Sequence, residues 1–141
     1  MEAKMPTYKK YLYATKAQIL SEITLQRRAA KLGFAPDIID TDYKTYITMD
    51  LIDDLSIADK YGDSIRKVPL DIREQILDIL WILYSDAEIE YVDVTGYNFI
   101  EKDGKVWIID FGHARKAGDE MDPFLVKIFN SWKLSWNPKF K

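Results

Sequence analysis

Cysteine is absent from the 141-residue sequence, so neither a disulfide framework nor a thiolate metal site is available, a composition that suits a reducing compartment. The single histidine, His113, excludes a histidine-built zinc cluster. No stretch approaches the roughly 18 apolar residues of a membrane span, and the opening MEAKMPTYKK lacks the apolar core of a secretion signal. These absences predict a soluble, intracellular, cytoplasmic protein with no membrane segment. A charge excess is lacking too: 20 Lys and Arg against 23 Asp and Glu leave a net charge of -3, which provides no field to hold nucleic acid or anionic lipid. Repeats, low-complexity tracts and Gly/Ser/Pro linkers are missing, so residues 1–141 are read as one domain.

What is present is ordinary globular material, 48% apolar and 30% charged. Residues 7–13 (TYKKYLY) are aromatic and branched and read as a strand. Thr15 with Gln18 makes a capping box, apolar positions Ile19, Ile23, Leu25 and Ala29 follow, and Gly33 closes a helix over residues 16–32. Two strands, 37–40 and 44–51, flank a Thr41-Asp42 turn. A polar connector over 51–67 holds a short helix, 55–61, ended by Gly62. The most apolar run, residues 76–84, contains Asp78 and belongs to a central helix over 71–84 rather than to a membrane span. Strands 98–100 and 105–109 flank Asp103-Gly104, a dipeptide suited to a tight hairpin. Asp122 caps a last helix that opens on Pro123, and Phe124, Phe129, Trp132 and Trp136 are expected to pack on the body. The same tail, through Trp132, Trp136 and Phe140 with Lys133, Lys139 and Lys141, offers the alternative of a partner surface. The fold class is α+β.

The chemistry concentrates around the second hairpin. Tyr91-Val92-Asp93-Val94-Thr95-Gly96-Tyr97-Asn98 precedes it and Asp110-Phe111-Gly112 follows it. A tight hairpin returns the chain to its start, so Asp93, Asn98 and Asp110 are expected at one end of it. Amide and carboxylate oxygens suit Mg²⁺, which makes Asn98 and Asp110 candidate metal ligands. Asp93 is then the group able to accept the proton of an attacking hydroxyl. His113, beside this cluster, is read as structural or solvent-facing.

These segments resemble the protein-kinase superfamily, whose catalytic loop H-R-D-x-x-x-x-N is followed by D-F-G. The resemblance implies a minimal kinase-like fold, with a reduced antiparallel N-lobe sheet plus one helix over about residues 1–50 and a small, mostly helical C-lobe over 51–141. It implies ATP and Mg²⁺ as cofactors. It places Glu22 as the helix glutamate and Lys9 or Lys10 as its partner lysine, with Lys9 favoured because alternation sets small Thr7 beside it. Met49 stands at the gatekeeper position, and Asp50, Leu51 and Ile52 at the hinge that offers backbone groups to adenine. Asp110 and Gly112 complete the nucleotide-binding set.

Departures from the family pattern are equally specific. No glycine precedes Lys9, so the Gly-rich cover over the phosphates is not expected, and water would reach them. Tyr91 and Val92 replace the usual His and Arg, Thr95 stands where a lysine is common, and residues 113–141 contain no A-P-E motif. Such economy resembles atypical compact kinases: RIO-like proteins, the kinase subunit of the tRNA threonylcarbamoylation complex, and short kinase-like proteins of large DNA viruses, which would act in host cytoplasm. Three functions follow. The leading one is a minimal ATP- and Mg²⁺-dependent kinase, transferring phosphate to serine or threonine of a protein acceptor. The second is an impaired pseudokinase acting as a nucleotide- or protein-binding regulator, and the third is a small-molecule phosphotransferase. A partner chain that completes the nucleotide site is compatible with the missing cover.

Overall fold

A computed structural model describes residues 6–140. Residues 1–5, on which part of the signal-peptide reading rests, and Lys141 lie outside the described residues. Strand β1 (Thr7–Tyr11) leads to helix α1 (Lys16–Lys31), whose start is the expected capping box: Thr15 Oγ1 accepts from the Gln18 amide at 3.2 Å, and Gln18 Oε1 accepts from the Thr15 amide at 3.0 Å. The buried face of α1 carries Ile19, Ile23, Leu25 and Ala29, and also the polar Glu22 and Gln26. Strands β2 (Ile38–Thr41) and β3 (Tyr46–Asp50) complete an antiparallel sheet of order β1-β3-β2, with Lys10 opposite Ile47 and Lys9 opposite Thr48. Strand β3 starts later than the expected residue 44, because the amides of Lys44 and Thr45 donate to the Asp42 carboxylate at 2.9 and 2.7 Å instead of joining the ladder.

Helix α2 (Ile57–Tyr61) is capped by Ser56 and closed by Gly62 at φ +90°. Helix α3 (Leu70–Ala87) is longer than its apolar run alone implied, and buries Ile72, Ile76, Leu77, Ile79, Leu80 and Leu83. A two-stranded pairing that no periodicity revealed, β4 (Ile89–Glu90) with β7 (Arg115–Lys116), brackets the site segments. Between them, β5 (Phe99–Lys102) and β6 (Lys105–Ile108) form the expected hairpin. Its turn puts Asp103 at φ +53° and Gly104 at φ +80°, the left-handed pair a two-residue loop needs. Helix α4 (Pro123–Ser131) starts where Asp122 Oδ1 accepts from the Phe124 amide at 2.9 Å.

The core is divided. Leu12, Ile19, Ile23, Ile47 and Met49 form a small cluster under the three-stranded sheet. A larger one surrounds α3 and takes in Tyr91, Phe99 and Phe111, with Phe124, Phe129 and Trp136 packed on it. Trp132, expected to pack likewise, is 44% exposed. It ends α4 in a left-handed conformation at φ +49°, which turns the chain away from the helix axis. Among the described residues no helix is long and apolar enough to cross a membrane.

Candidate active site

The loop from Tyr91 to Asn98 is shaped by burial of alternate side chains. Val92 and Val94 are in the core, so Asp93 between them faces the other way, its side chain 13% exposed. Short turns close the loop: the Val94 amide donates to Val92 O at 2.8 Å, Thr95 to Asp93 O at 3.1 Å, and Asn98 to Thr95 O at 3.2 Å. Gly96 lies hard against α2, where its carbonyl accepts from the Ala58 amide at 2.9 Å. A Cβ there would stand 3.0 Å from Ala58 Cβ and 3.1 Å from its nitrogen, so only glycine lets the loop approach this closely.

The expected convergence occurs. The Ile109 amide donates to Asn98 O at 3.1 Å, which brings the end of β6 to the start of β5 and sets Asp110 across from Asn98. The Asn98 side chain is buried and donates through Nδ2 to Asp93 O at 2.8 Å, so its Oδ1 is the atom turned to other partners. Tyr91 accounts for one departure from the family pattern. Its hydroxyl donates to the Asp110 carbonyl, and its ring meets Phe111 edge-on at 5.4 Å, tying the two site segments together. Burial, with the charges of Asp110, Asp93 and Glu22, pushes this phenol well above its ordinary pKa, so it remains a donor.

Lys10, not Lys9, is the lysine that meets Glu22. Its Nζ lies 2.7 Å from Glu22 Oε2 and 3.2 Å from Asp110 Oδ1. Burial alone would push the Lys10 pKa down, but the Asp110 charge and the Glu22 hydrogen bond outweigh it and leave the pKa raised. Lys9 points to the opposite face and rests 4.1 Å over the Tyr46 ring. The expectation that small Thr7 marks the cleft face is therefore corrected. Tyr8, two residues before Lys10, shares the cleft with it, because the ring sits at the rim, half exposed, where bulk forms a wall rather than a clash.

Lys10 and Asp110 face a cleft of about 330 Å³ between the sheet and the hairpin, also lined by Tyr8, Met49, Asp50, Leu51, Ile52 and Asn98. This volume is in the range of small-molecule sites. Met49 and residues 50–52, expected at the gatekeeper and hinge positions, thus line this cleft, although the amides of Asp50 and Leu51 are already spent on Asp37 O at 3.1 Å and Pro6 O at 3.0 Å. Glu22 stands behind Lys10, and Gly112 lies beside Asp110, donating to its Oδ1 at 2.8 Å; neither lines the cleft. Asp93 does not line it either, and its Oδ2 lies 3.0 Å from His113 Nδ1. His113, read from sequence as structural or solvent-facing, is 63% exposed at its side chain yet touches the candidate base. Only the fold reveals this contact, since residues 93 and 113 carry no spacing signal.

Asn98 Oδ1 and the Asp110 carboxylate are hard oxygen donors of the type Mg²⁺ takes. Among the described residues no three His, Cys, Asp or Glu side chains gather to hold an ion. The donor set therefore fits a cation that shares its shell with phosphate oxygens and water, not one caged by protein alone.

No curated protein matches the sequence. The RIO domain family matches residues 3–127, a span that includes β1, α1 and both site segments. The α+β architecture of small antiparallel sheets and four helices is that of a minimal kinase-like fold. On this match the chain belongs to the RIO domain family, an atypical protein kinase family.

Proposed function

We propose that the protein is an ATP- and Mg²⁺-dependent phosphotransferase whose acceptor is a serine or threonine hydroxyl of a protein. The observation that carries this reading is Lys10 held between Glu22 and Asp110, 2.7 and 3.2 Å away, on the wall of a cleft that also contains Asn98. A lysine so placed is fixed in direction by Glu22 and charged, and can contact nucleotide phosphates. Met49 and residues 50–52 line the part of the cleft suited to the base. Mg²⁺ at Asn98 and Asp110 would neutralise charge on the phosphoryl group in transfer. In that transfer the acceptor oxygen bonds to the γ-phosphorus, the bond from that phosphorus to the bridging oxygen breaks, and the hydroxyl proton passes to Asp93.

Incorporation of γ-phosphate from ATP into the protein itself or a mixed protein substrate tests the reading, with Asp93→Ala as the control. Loss of transfer by about 10²–10⁴-fold in Asp93→Ala is expected. Equal incorporation by the two proteins would overturn it.

A regulatory pseudokinase is the second reading, favoured by Val92 and Thr95, buried at the positions where the family pattern carries Arg and Lys. Under it, ATP with Mg²⁺ gives little or no rise in melting temperature and no phosphate is transferred, and a strong Mg²⁺-dependent rise lost in Asp110→Ala counts against it. The free edge of β1, an edge strand among the described residues, is where a pairing segment from a partner chain would add cover to the phosphates.

A further inference from the structure

Residues 128–140 lie beyond the matched family region, yet part of this tail is wrapped against the catalytic loop. Asn137 is a buried polar residue, 5% exposed, packed against the loop rather than against solvent. Its Nδ2 donates to Val92 O at 2.8 Å, and its backbone amide donates to Val94 O at 2.8 Å. Those two carbonyls flank Asp93. Asn137 Oδ1 accepts from the Lys139 amide at 3.1 Å, and the Phe140 amide donates to Asn137 O at 3.1 Å, which curls the chain into a 3₁₀ turn, Pro138–Phe140. The turn delivers the Phe140 ring to 5.1 Å from the His113 ring, and His113 Nδ1 meets Asp93 Oδ2 at 3.0 Å. Trp136, stacked on Phe99 at 6.4 Å with 21° between planes, anchors the segment to the main core.

We propose that residues 136–140 are a clasp that positions Asp93: Asn137 holds the backbone on both sides of it, and Phe140 seats His113 against its carboxylate. This rests on the phosphotransferase reading for its kinetic meaning. Asn137 and His113 are positioning residues, since neither faces the cleft. The loop is tied to the body at Tyr91, Gly96 and Asn98, but within the loop the bonds next to Asp93 itself are short-range turns, so Asn137 supplies the distant hold on the backbone to either side of it. Donation from His113 Nδ1 to Oδ2 selects one carboxylate rotamer and directs Oδ1 to the acceptor hydroxyl. An error of about 1 Å in such a group lowers turnover about 100-fold.

The test uses the full chain with His113→Ala, His113→Asn and Asn137→Asp. Asparagine retains a donor near the Nδ1 position, whereas aspartate at 137 places an acceptor against Val92 O. His113→Ala is expected to lower kcat about 10- to 100-fold, with KM for ATP and melting temperature unchanged because the ring is largely exposed. His113→Asn should recover most of the loss, and Asn137→Asp should lower kcat with little change in KM. Wild-type turnover in His113→Ala, or a change in KM without one in kcat, overturns the proposal.

If the wild-type protein transfers no phosphate, the phosphotransferase reading fails and the geometry is judged by imidazole ¹⁵N NMR. The clasp requires an Nδ1-protonated His113 whose signature changes in Asp93→Ala and in Asn137→Asp. A signature the same in all three proteins overturns it.

Discussion

The wall that carries Lys10 rests on Leu12, Ile19, Ile23, Ile47 and Met49, whereas the wall that carries Asp93 and Asn98 rests on the cluster around α3 with its three aromatic anchors Tyr91, Phe99 and Phe111. On the first, the site depends on a charged contact: β1 is an edge strand among the described residues, Tyr8 and Tyr11 are 50% and 57% exposed, and Lys10 is directed by Glu22 and Asp110. On the second, the site depends on packing and backbone hydrogen bonds, through Tyr91, Gly96, Asn98 and Asn137. The difference teaches where each kind of perturbation acts. Volume changes should damage the floor, and charge or pH changes should damage the sheet wall.

The largest expected effect breaks or confirms the packing half of this contrast. Phe99→Ala should lower unfolding free energy by about 3–5 kcal/mol, read from the urea midpoint, because it opens a cavity between Tyr91 and Trp136. Met49→Ala, in the small cluster, should cost nearer 2 kcal/mol. An equal loss from the two would mean that the walls are not differently built.

Next comes the lysine. Lys10→Met leaves Glu22, 7% exposed, without its counter-charge and should cost about 1–3 kcal/mol in thermal or urea melts, while ATP-dependent stabilisation disappears. Lys9→Met should stay within about 0.5 kcal/mol. A reversal of the two would overturn the assignment of Lys10.

The pH dependence sharpens the same point with a smaller effect. The folded-state pKa of Lys10 is raised above its ordinary 10.5, so the folded state binds the proton more tightly than the unfolded chain does. Its contribution is full below 10.5 and is lost as pH rises through the higher folded value. Urea midpoints taken as pH rises through and above 10.5 should therefore fall more steeply in the wild-type protein than in Lys10→Met. The smallest effect is local: Thr15→Ala removes the capping box of α1 and should cost about 1 kcal/mol.

Much of the fold was legible. The capping box at Thr15, the Asp103-Gly104 turn and the Asp122-Pro123 helix start act through neighbours in sequence, so residue identity carries them. The pairing of β4 with β7 was not legible, because two-residue strands have no period to read. The late start of β3 was hidden for a related reason: the Asp42 carboxylate competes with the ladder for the amides of residues 44 and 45. At the candidate site, spacing along the sequence singles out Asp93, Asn98 and Asp110, whereas side-chain bulk favours Lys9, the wrong one of the two lysines for Glu22. Strand alternation limits the answer to one lysine per face but does not say which face meets the cleft. Tyr8 on the rim and Lys9 over Tyr46 decide that.

The sequence by itself determined that a loop with Asp93 and Asn98 and a segment with Asp110 flank a tight hairpin, because turn chemistry and strand length are local. Tertiary structure alone decided that Lys10 meets Glu22, that Tyr91 bridges to Asp110, and that His113 and Asn137 reach the Asp93 loop. Those contacts join residues 12 to 45 positions apart. Their existence depends on how α1, α3 and the tail pack together, which no spacing along the chain encodes.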